Sequence, residues 1–343
     1  MILPTTYIAA LLLSLLTMIC WGSWANTQKF SGKWRFELFY YDYALGLLIT
    51  ATLLAFTFGT FGSELTFMDN MTITGKRQMA YAFAGGVIFN LANMLLVAAI
   101  AVAGLSVAFP VGIGLALVIG VIWNYILNPQ GNPVFLFSGA AIVAVAIVVD
   151  AMAFSAHAKD KAPPPAPGKR KKKASLSAKG IVLSCACGVL MGSFYPIVEL
   201  SKVGDIALGP YAVGFVFAVG VFLSTFIFNM YFMNLPVQGD RVMFSQYFRG
   251  TVKQHSLGLL GGAIWCIGGV ANFVAASAPP EVNVGPAVSY ALGQGATLIS
   301  ALWGLFYWKE FKDPSPKVKG LLMLMLGLFV VGLALVSIAP LRK

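Results

Sequence analysis

The sequence predicts an all-α polytopic membrane protein of ten transmembrane helices in a 5+5 inverted-topology repeat. Composition is the first observation behind this. Of 343 residues, 59% are hydrophobic and 10% charged, with a mean hydropathy of +0.83. Soluble domains carry about 25% charged residues, so the solvent for this much apolar surface is lipid. The second observation is ten apolar runs, at 6–29, 41–60, 79–99, 102–126, 134–155, 179–201, 208–233, 257–278, 284–308 and 318–339. Each approaches or exceeds the roughly 20 residues that a helix needs to cross a bilayer. None alternates polar and apolar as a barrel strand would. The third is that the two halves of the chain repeat each other in order.

Span 1 begins with the aliphatic run YIAALLLSLLTMI and ends in CWGSWANTQKF. Trp21 and Trp24, three residues apart, share a helix face, with Ser23 and Asn26 beside them. Gln28 and Lys29 mark the membrane edge. No Lys or Arg precedes residue 29, so span 1 is expected to be a retained helix rather than a secretory signal. Span 2 is plain. Span 3 carries Asn90 and Asn93 in GGVIFNLANMLLVAA, and span 4 is Gly-rich, with Gly112-Ile-Gly114 near Pro110. Span 5 is plain but for Asp150 near its end.

Residues 157–178 then form a Pro-rich, basic linker that contains KRKKK and divides the chain into repeats 1–156 and 179–343. Such a segment is a solvated tether drawn to anionic headgroups of the bilayer, not a nucleic-acid site. Span 6 offers Ser193, Tyr195 and Glu199 in MGSFYPIVEL, and span 7 is plain. Span 8 offers Trp265 and Asn272. Span 9 offers Ser289, Tyr290 and Gln294, and its Gly293-Gln-Gly295 can loosen the helix. Span 10 is plain. Spans 2, 5, 7 and 10 are therefore expected to form an outer ring.

WGSW (21–24) matches MGSF (191–194), GGVIFNLANMLLVAA (85–99) matches GGAIWCIGGVANFVAA (261–276), and GIGLALVIGVIW (112–123) parallels GQGATLISALW (293–303). Five spans per half send the second copy into the membrane the other way round, the usual architecture of alternating-access carriers. Orientation follows from Lys and Arg. Loops after odd-numbered spans and the linker hold 18 of the 23, leaving Lys76, Arg77, Lys202, Arg342 and Lys343 on the other side. This places the linker in the cytoplasm and both termini outside, in a cell (inner) membrane.

Polar groups inside a bilayer are costly unless they face a cavity or a partner. The expected substrate-binding set is Trp21, Ser23, Trp24, Asn26, Asn90, Asn93, Ser193, Tyr195, Trp265, Asn272, Tyr290 and Gln294. Trp rings stack on a sugar or a flat heterocycle, and amides both donate and accept hydrogen bonds. Glu199 is the expected proton-coupling carboxylate. His157 and His255 are expected in loops, which leaves no buried imidazole relay, and Glu310 is expected to pair with neighbouring lysines. The four cysteines lie in apolar runs without metal spacing, and no cofactor is expected. There is no HExxH, no intramembrane aspartate pair and no P-loop, so an enzyme or an ATP-driven pump is not expected.

The segments CWGSWANTQKF…ELFYYDY, AGGVIFNLANMLLVAAIAVAGLSVAFPVGIGLALVIG and GGAIWCIGGVANFVAA…AVSYALGQGATLISALWGLFYWKEF resemble the drug/metabolite transporter superfamily. The nearest branch looks like that of the glucose/ribose uptake permeases, L-rhamnose–proton symporters and ureide permeases. The resemblance implies a central site lined by spans 1, 3, 4, 6, 8 and 9. Trp21, Gly22 and Glu310 fall on superfamily motif positions. Many exporters of the superfamily are drawn with cytoplasmic termini, against the charge count, whereas the ureide permeases with their cytosolic central loop agree with it. The nucleotide-binding-like motif of the plant loops has no counterpart in this linker. The function expected is proton symport of a small neutral polyhydroxyl solute, foremost a monosaccharide. The alternatives are a ureide or nucleobase-type heterocycle permease, a drug or metabolite exporter, and a non-transporting membrane sensor or scaffold.

Overall fold

The computed structural model describes residues 1–62, 65–103, 105–161, 178–236 and 239–341. The KRKKK part of the linker lies outside the described residues. Every described apolar run is helical, as hydrocarbon requires when no water is present to satisfy backbone N–H and C=O groups.

The chain runs through α1 (Tyr7–Ser23), capped by Thr6, and α2 (Ala25–Phe30). Then follow α3 (Phe36–Phe56), a short α4 (Phe67–Ile73), α5 (Lys76–Ala103), α6 (Leu105–Leu127) and α7 (Pro133–Lys161). The second half holds α8 (Ala178–Leu200), α9 (Pro210–Asn234), a 3-10 turn at Phe244–Arg249 and α10 (Val252–Ala275). It ends with α11 (Pro286–Gln294), α12 (Ala296–Leu302), a π-helical turn at Trp303–Tyr307 and α13 (Pro316–Ile338). With α1–α2 taken as one, eight helices among the described residues are long and apolar enough to cross a membrane. The other two expected spans fall on α6 and on the interrupted run from α11 to the π turn.

Where the sequence offered two Gly-x-Gly loosening points, the chain uses one. It breaks at Gly295, between α11 and α12, whereas α6 runs through Gly112 and Gly114 without a break. Both histidines correct their expected placement. His157 lies within α7 and His255 in the first turn of α10, because each helix continues past its apolar run on the strength of its own backbone bonds.

Packing follows a pattern. Take ten segments in chain order, with α1–α2 as the first and α11–α12 as the ninth, α4 aside. Segment three packs on six and seven, and segment eight packs on one and two. Segment four packs on six, and nine on one; five meets ten, two meets seven and four meets nine. Adding or subtracting five maps this set of pairings onto itself.

The same exchange holds atom by atom. A Cβ added to Gly46 or Gly262 would lie 2.1 Å from Leu259 O or 1.9 Å from Tyr43 O, where α3 crosses α10. One added to Gly220 or Gly86 would lie 2.4 Å from Phe83 O or 2.2 Å from Phe217 O, where α9 crosses α5. Only glycine permits such backbone contact.

The expected outer ring is corrected in part. α3 and α9 are among the most buried spans, with 61% of their apolar windows buried against 28% for α13. Each is wedged against the other and against α10 or α5. Their plain composition reflects dry packing rather than lipid contact.

Candidate functional site

A cavity of ≈ 240 Å³ opens among α1, α2, the start of α3, α5, α6, α8, α10, α11 and α12. Its wall includes Trp21, Trp24, Gln28, Phe36, Phe89, Asn93, Met191, Phe194, Trp265, Gln294, Thr297 and Ser300. Trp265 is the fixed plate of this wall. It stacks on Trp21 with ring centroids 5.5 Å apart and planes at 13°. On its other side it stacks on Phe217 at 5.6 Å and 8°, and Phe89 braces it at 4.3 Å.

Polar groups face this aromatic wall. Asn93 Nδ2 donates to the Tyr40 hydroxyl at 3.1 Å, which leaves its carbonyl oxygen for a ligand donor. The amides of Gln294 and Gln28 line the cavity without a protein hydrogen bond among the described residues. Among the described residues the lining holds no charged group. A flat, neutral solute with several N–H and C=O groups is the chemistry such a wall recognises.

Gln28, Phe36 and Ile100 carry the cavity toward the end of the bundle where α7 stops and α8 starts, hereafter the linker end. A second cavity, lined by Arg35, Phe36, Glu37 and Val97, adjoins it there. The far end is closed by fully buried aromatics. Tyr195 lies 5.3 Å from Tyr290 and 5.7 Å from Phe273 between ring centroids. The Tyr290 hydroxyl is held by the carbonyls of Ala116 and Met191.

Of the twelve residues the sequence selected, Trp21, Trp24, Asn93, Trp265 and Gln294 meet at the central cavity. Tyr195 and Tyr290 form the far-end closure. Asn90 is turned to α9, donating to Val221 O, Ser224 Oγ and Thr225 Oγ1. Asn272 donates to Ser289 O at 3.0 Å, tying α10 to α11. Ser193 bonds back to Val189 O in its own helix.

Ser23 and Asn26 hold the segment after α12. Trp303 Nε1 donates to Ser23 Oγ at 3.0 Å and Trp308 Nε1 to Asn26 Oδ1 at 2.6 Å. Glu310 pairs with Lys29 rather than with the lysines beside it in sequence, because this docking brings the two together from opposite ends of the chain. Phe89, Phe194, Met191, Thr297 and Ser300 escaped the sequence reading. Apolar types and a lone hydroxyl look the same on a packing face as on a cavity wall.

Three further ionic groups lie within the bundle. Glu199 pairs with Lys202 at 2.6 Å and lines a cavity of ≈ 560 Å³ at the far end. Asp42, in α3, accepts from the Tyr247 hydroxyl at 2.6 Å and lies 2.8 Å from His255 Nδ1. An imidazole–carboxylate pair thus exists where the sequence suggested none. Burial and the adjacent Asp42 carboxylate push the Tyr247 phenol well above its ordinary value. Asp150 lines a smaller cavity beside Lys29 and Glu310.

The family model described as Ureide permease matches residues 39–179 and 169–339. Ureide permease 1 of Arabidopsis thaliana is 25% identical over 95% of both chains, and Ureide permease 2 of the same plant 24% over 95% of both. Probable ureide permease A3 of Vigna unguiculata is 32% identical over 32% of this chain and 30% of its own length. One solved crystal structure, 15% identical, superposes over 95% of this chain and 97% of its own with a TM-score of 0.57, a likeness of fold alone.

Proposed function

The chain belongs to the ureide permease family, and from that premise we propose that it carries a small neutral ureide or related nitrogen heterocycle across a membrane by alternating access. The observation that carries this reading is the Trp21–Trp265 stack facing the open amides of Asn93 and Gln294 in one uncharged cavity. The stacked rings supply an apolar wall, and the amides match the alternating N–H and C=O edge of a ureide. The volume of ≈ 240 Å³ falls below the about 300–1,000 Å³ usual for drug-sized ligands and suits a single small ring.

The monosaccharide expected first from the sequence gives way to this alternative. The relatives are named for ureides, and the stack and amides that suggested a sugar serve a flat ring equally well. Ten spans in a 5+5 inverted repeat are the proposed architecture, supported by packing pairs and backbone crossings that exchange under a shift of five segments. Charge counting orients the linker end to the cytoplasm, so the conformation is open inward and closed outward. Its home is proposed to be the cell membrane.

The test is transport by the full chain reconstituted in liposomes, with radiolabelled allantoin, uracil and glucose offered separately. Saturable allantoin or uracil entry that the other heterocycle inhibits and excess glucose does not is the expected result. Glucose entry without heterocycle entry overturns the assignment.

A further inference from the structure

Asp150 sits in α7, 7% exposed, and its Oδ1 has no hydrogen-bond partner. It faces a cavity of ≈ 150 Å³ whose wall also holds Asn26, Lys29, Trp308 and Glu310. That cavity shares Ala25, Thr297 and Ser300 with the larger central one. A wall one residue thick, built from the start of α2 and from α12, therefore separates an unpartnered buried carboxyl from the aromatic site.

The charges facing Asp150 do not balance. Lys29 is already paired with Glu310 and lies 4.5 Å above the Trp308 ring. Among the described residues, one cation thus stands against two carboxylates. Of the helices packed on α7, α6 carries no titratable group but Tyr125, and α13 brings Lys317 and Lys319 only in its first turn. On α7 itself, His157, Lys159, Asp160 and Lys161 lie about two turns or more beyond, and Asp160 accepts from the Ser315 hydroxyl. A buried, unpaired carboxylate is costly, and binding a proton or drawing in a cation relieves it.

We propose that Asp150 is the proton-binding site of this carrier, and that Lys29 exchanges between Glu310 and Asp150 according to whether Asp150 holds the proton. The Lys29–Glu310 pair present in the structure is the arrangement expected with the proton on Asp150. When the proton leaves, Asp150 competes for Lys29. Lys29 lies on α2, directly after the helix bearing Trp21 and Trp24, and Glu310 follows the helix bearing Thr297 and Ser300. Exchange of the pair therefore shifts one wall of the central cavity against another. Glu199, by contrast, is paired with Lys202 at the far end and shares no lining residue with the central cavity.

This inference rests on the carrier reading, and two measurements keep the two separable. The first needs no substrate: infrared difference spectra of the purified full chain between low and high pH, which report the C=O stretch of a protonated carboxyl. Among the carboxyl bands of the chain's acidic residues, one is expected in the wild type, lost in Asp150→Asn and restored in Asp150→Glu, which keeps the acid. It should persist in Asp160→Asn.

The second compares allantoin counterflow with gradient-driven accumulation in liposomes. Asp150→Asn is expected to keep counterflow and to lose gradient stimulation by roughly tenfold, an ordinary coupling strength. Survival of this band in Asp150→Asn, or its removal by Glu199→Gln instead, overturns the proposal, as does gradient-driven accumulation by Asp150→Asn. Loss of the band only in Asp150→Asn, with no allantoin movement in the wild type, upholds the proton site and sinks the substrate assignment. A misfolded Asp150→Asn protein transfers the decision to Asp150→Glu, whose band must stay and shift in midpoint.

Discussion

Trp21 does two things at once. Its ring stacks on Trp265, while its indole N–H is buried without a partner. An orphaned buried donor costs about 1–3 kcal/mol, and ring stacking contributes about 0.5–1.5 kcal/mol beyond area burial. Trp21→Phe removes the orphan and keeps a ring, so its melting temperature should equal or exceed that of the wild type. Trp21→Ala removes the platform and should weaken heterocycle binding about tenfold, on the order of the 1–3 kcal/mol that a base loses without its stacking partner. Tryptophan quenching titrations and thermal melts read both outcomes, and a Trp21→Ala protein that binds as tightly as the wild type removes Trp21 from the site.

This residue was legible because two tryptophans flanking a Gly-Ser pair are unnecessary in a helix that merely crosses lipid. Asn90 was misleading for the opposite reason. It shares type and helix with Asn93, only three positions away, but the approach of α9 captures it. The direction of a side chain depends on which neighbour arrives, and no local pattern records that.

At the scale of elements, the end of the first span is fastened to the segment after α12 through Ser23–Trp303, Asn26–Trp308 and Lys29–Glu310. The ion pair is half-exposed and by itself contributes about 0–1 kcal/mol. The indole bonds matter more, since losing one partner strands the other. Asn26→Ala should lower the melting temperature, and Trp308→Phe in the same chain should recover part of the loss. A double-mutant cycle measures that recovery, and additive losses would mean that the two side chains do not interact.

The existence and order of the long helices were readable from apolar run length alone. The break at Gly295 was foreshadowed by Gly293-Gln-Gly295. The docking of WKE onto WGSWAN was not, because its partners lie 280 or more residues apart. Ser23 and Asn26 looked like ligands for a solute and turn out to be ligands for two indoles.

For the whole molecule, the exchange of packing partners between halves makes a specific demand on glycine. Gly262→Ala would push a Cβ to 1.9 Å from Tyr43 O, whereas at Gly327 nothing lies within 4 Å. Gly262→Ala should therefore reduce the yield of folded protein and its melting temperature, and Gly327→Ala should do neither. Size-exclusion profiles of the two variants decide it, and equal behaviour would mean that the α3–α10 crossing is looser than described. The sequence pairing of GGVIF with GGAIW pointed to this symmetry. It could not show that the two glycine pairs meet backbone rather than side chains.

Two of the three rings of the far-end closure have no aromatic counterpart under the symmetry. Shifting Tyr195 by the offset that relates Gly22 to Gly192 gives Ala25. Shifting Phe273 by the offset that relates Gly86 to Gly262 gives Val97. Both Ala25 and Val97 line the central cavity, and neither can fill it. The bundle thus carries these rings at its far end only, like a loaded balance. In the carrier proposed above, a guest would occupy the room that Ala25 and Val97 leave when the linker end shuts, so an unladen turnover would start uphill and a laden one would not.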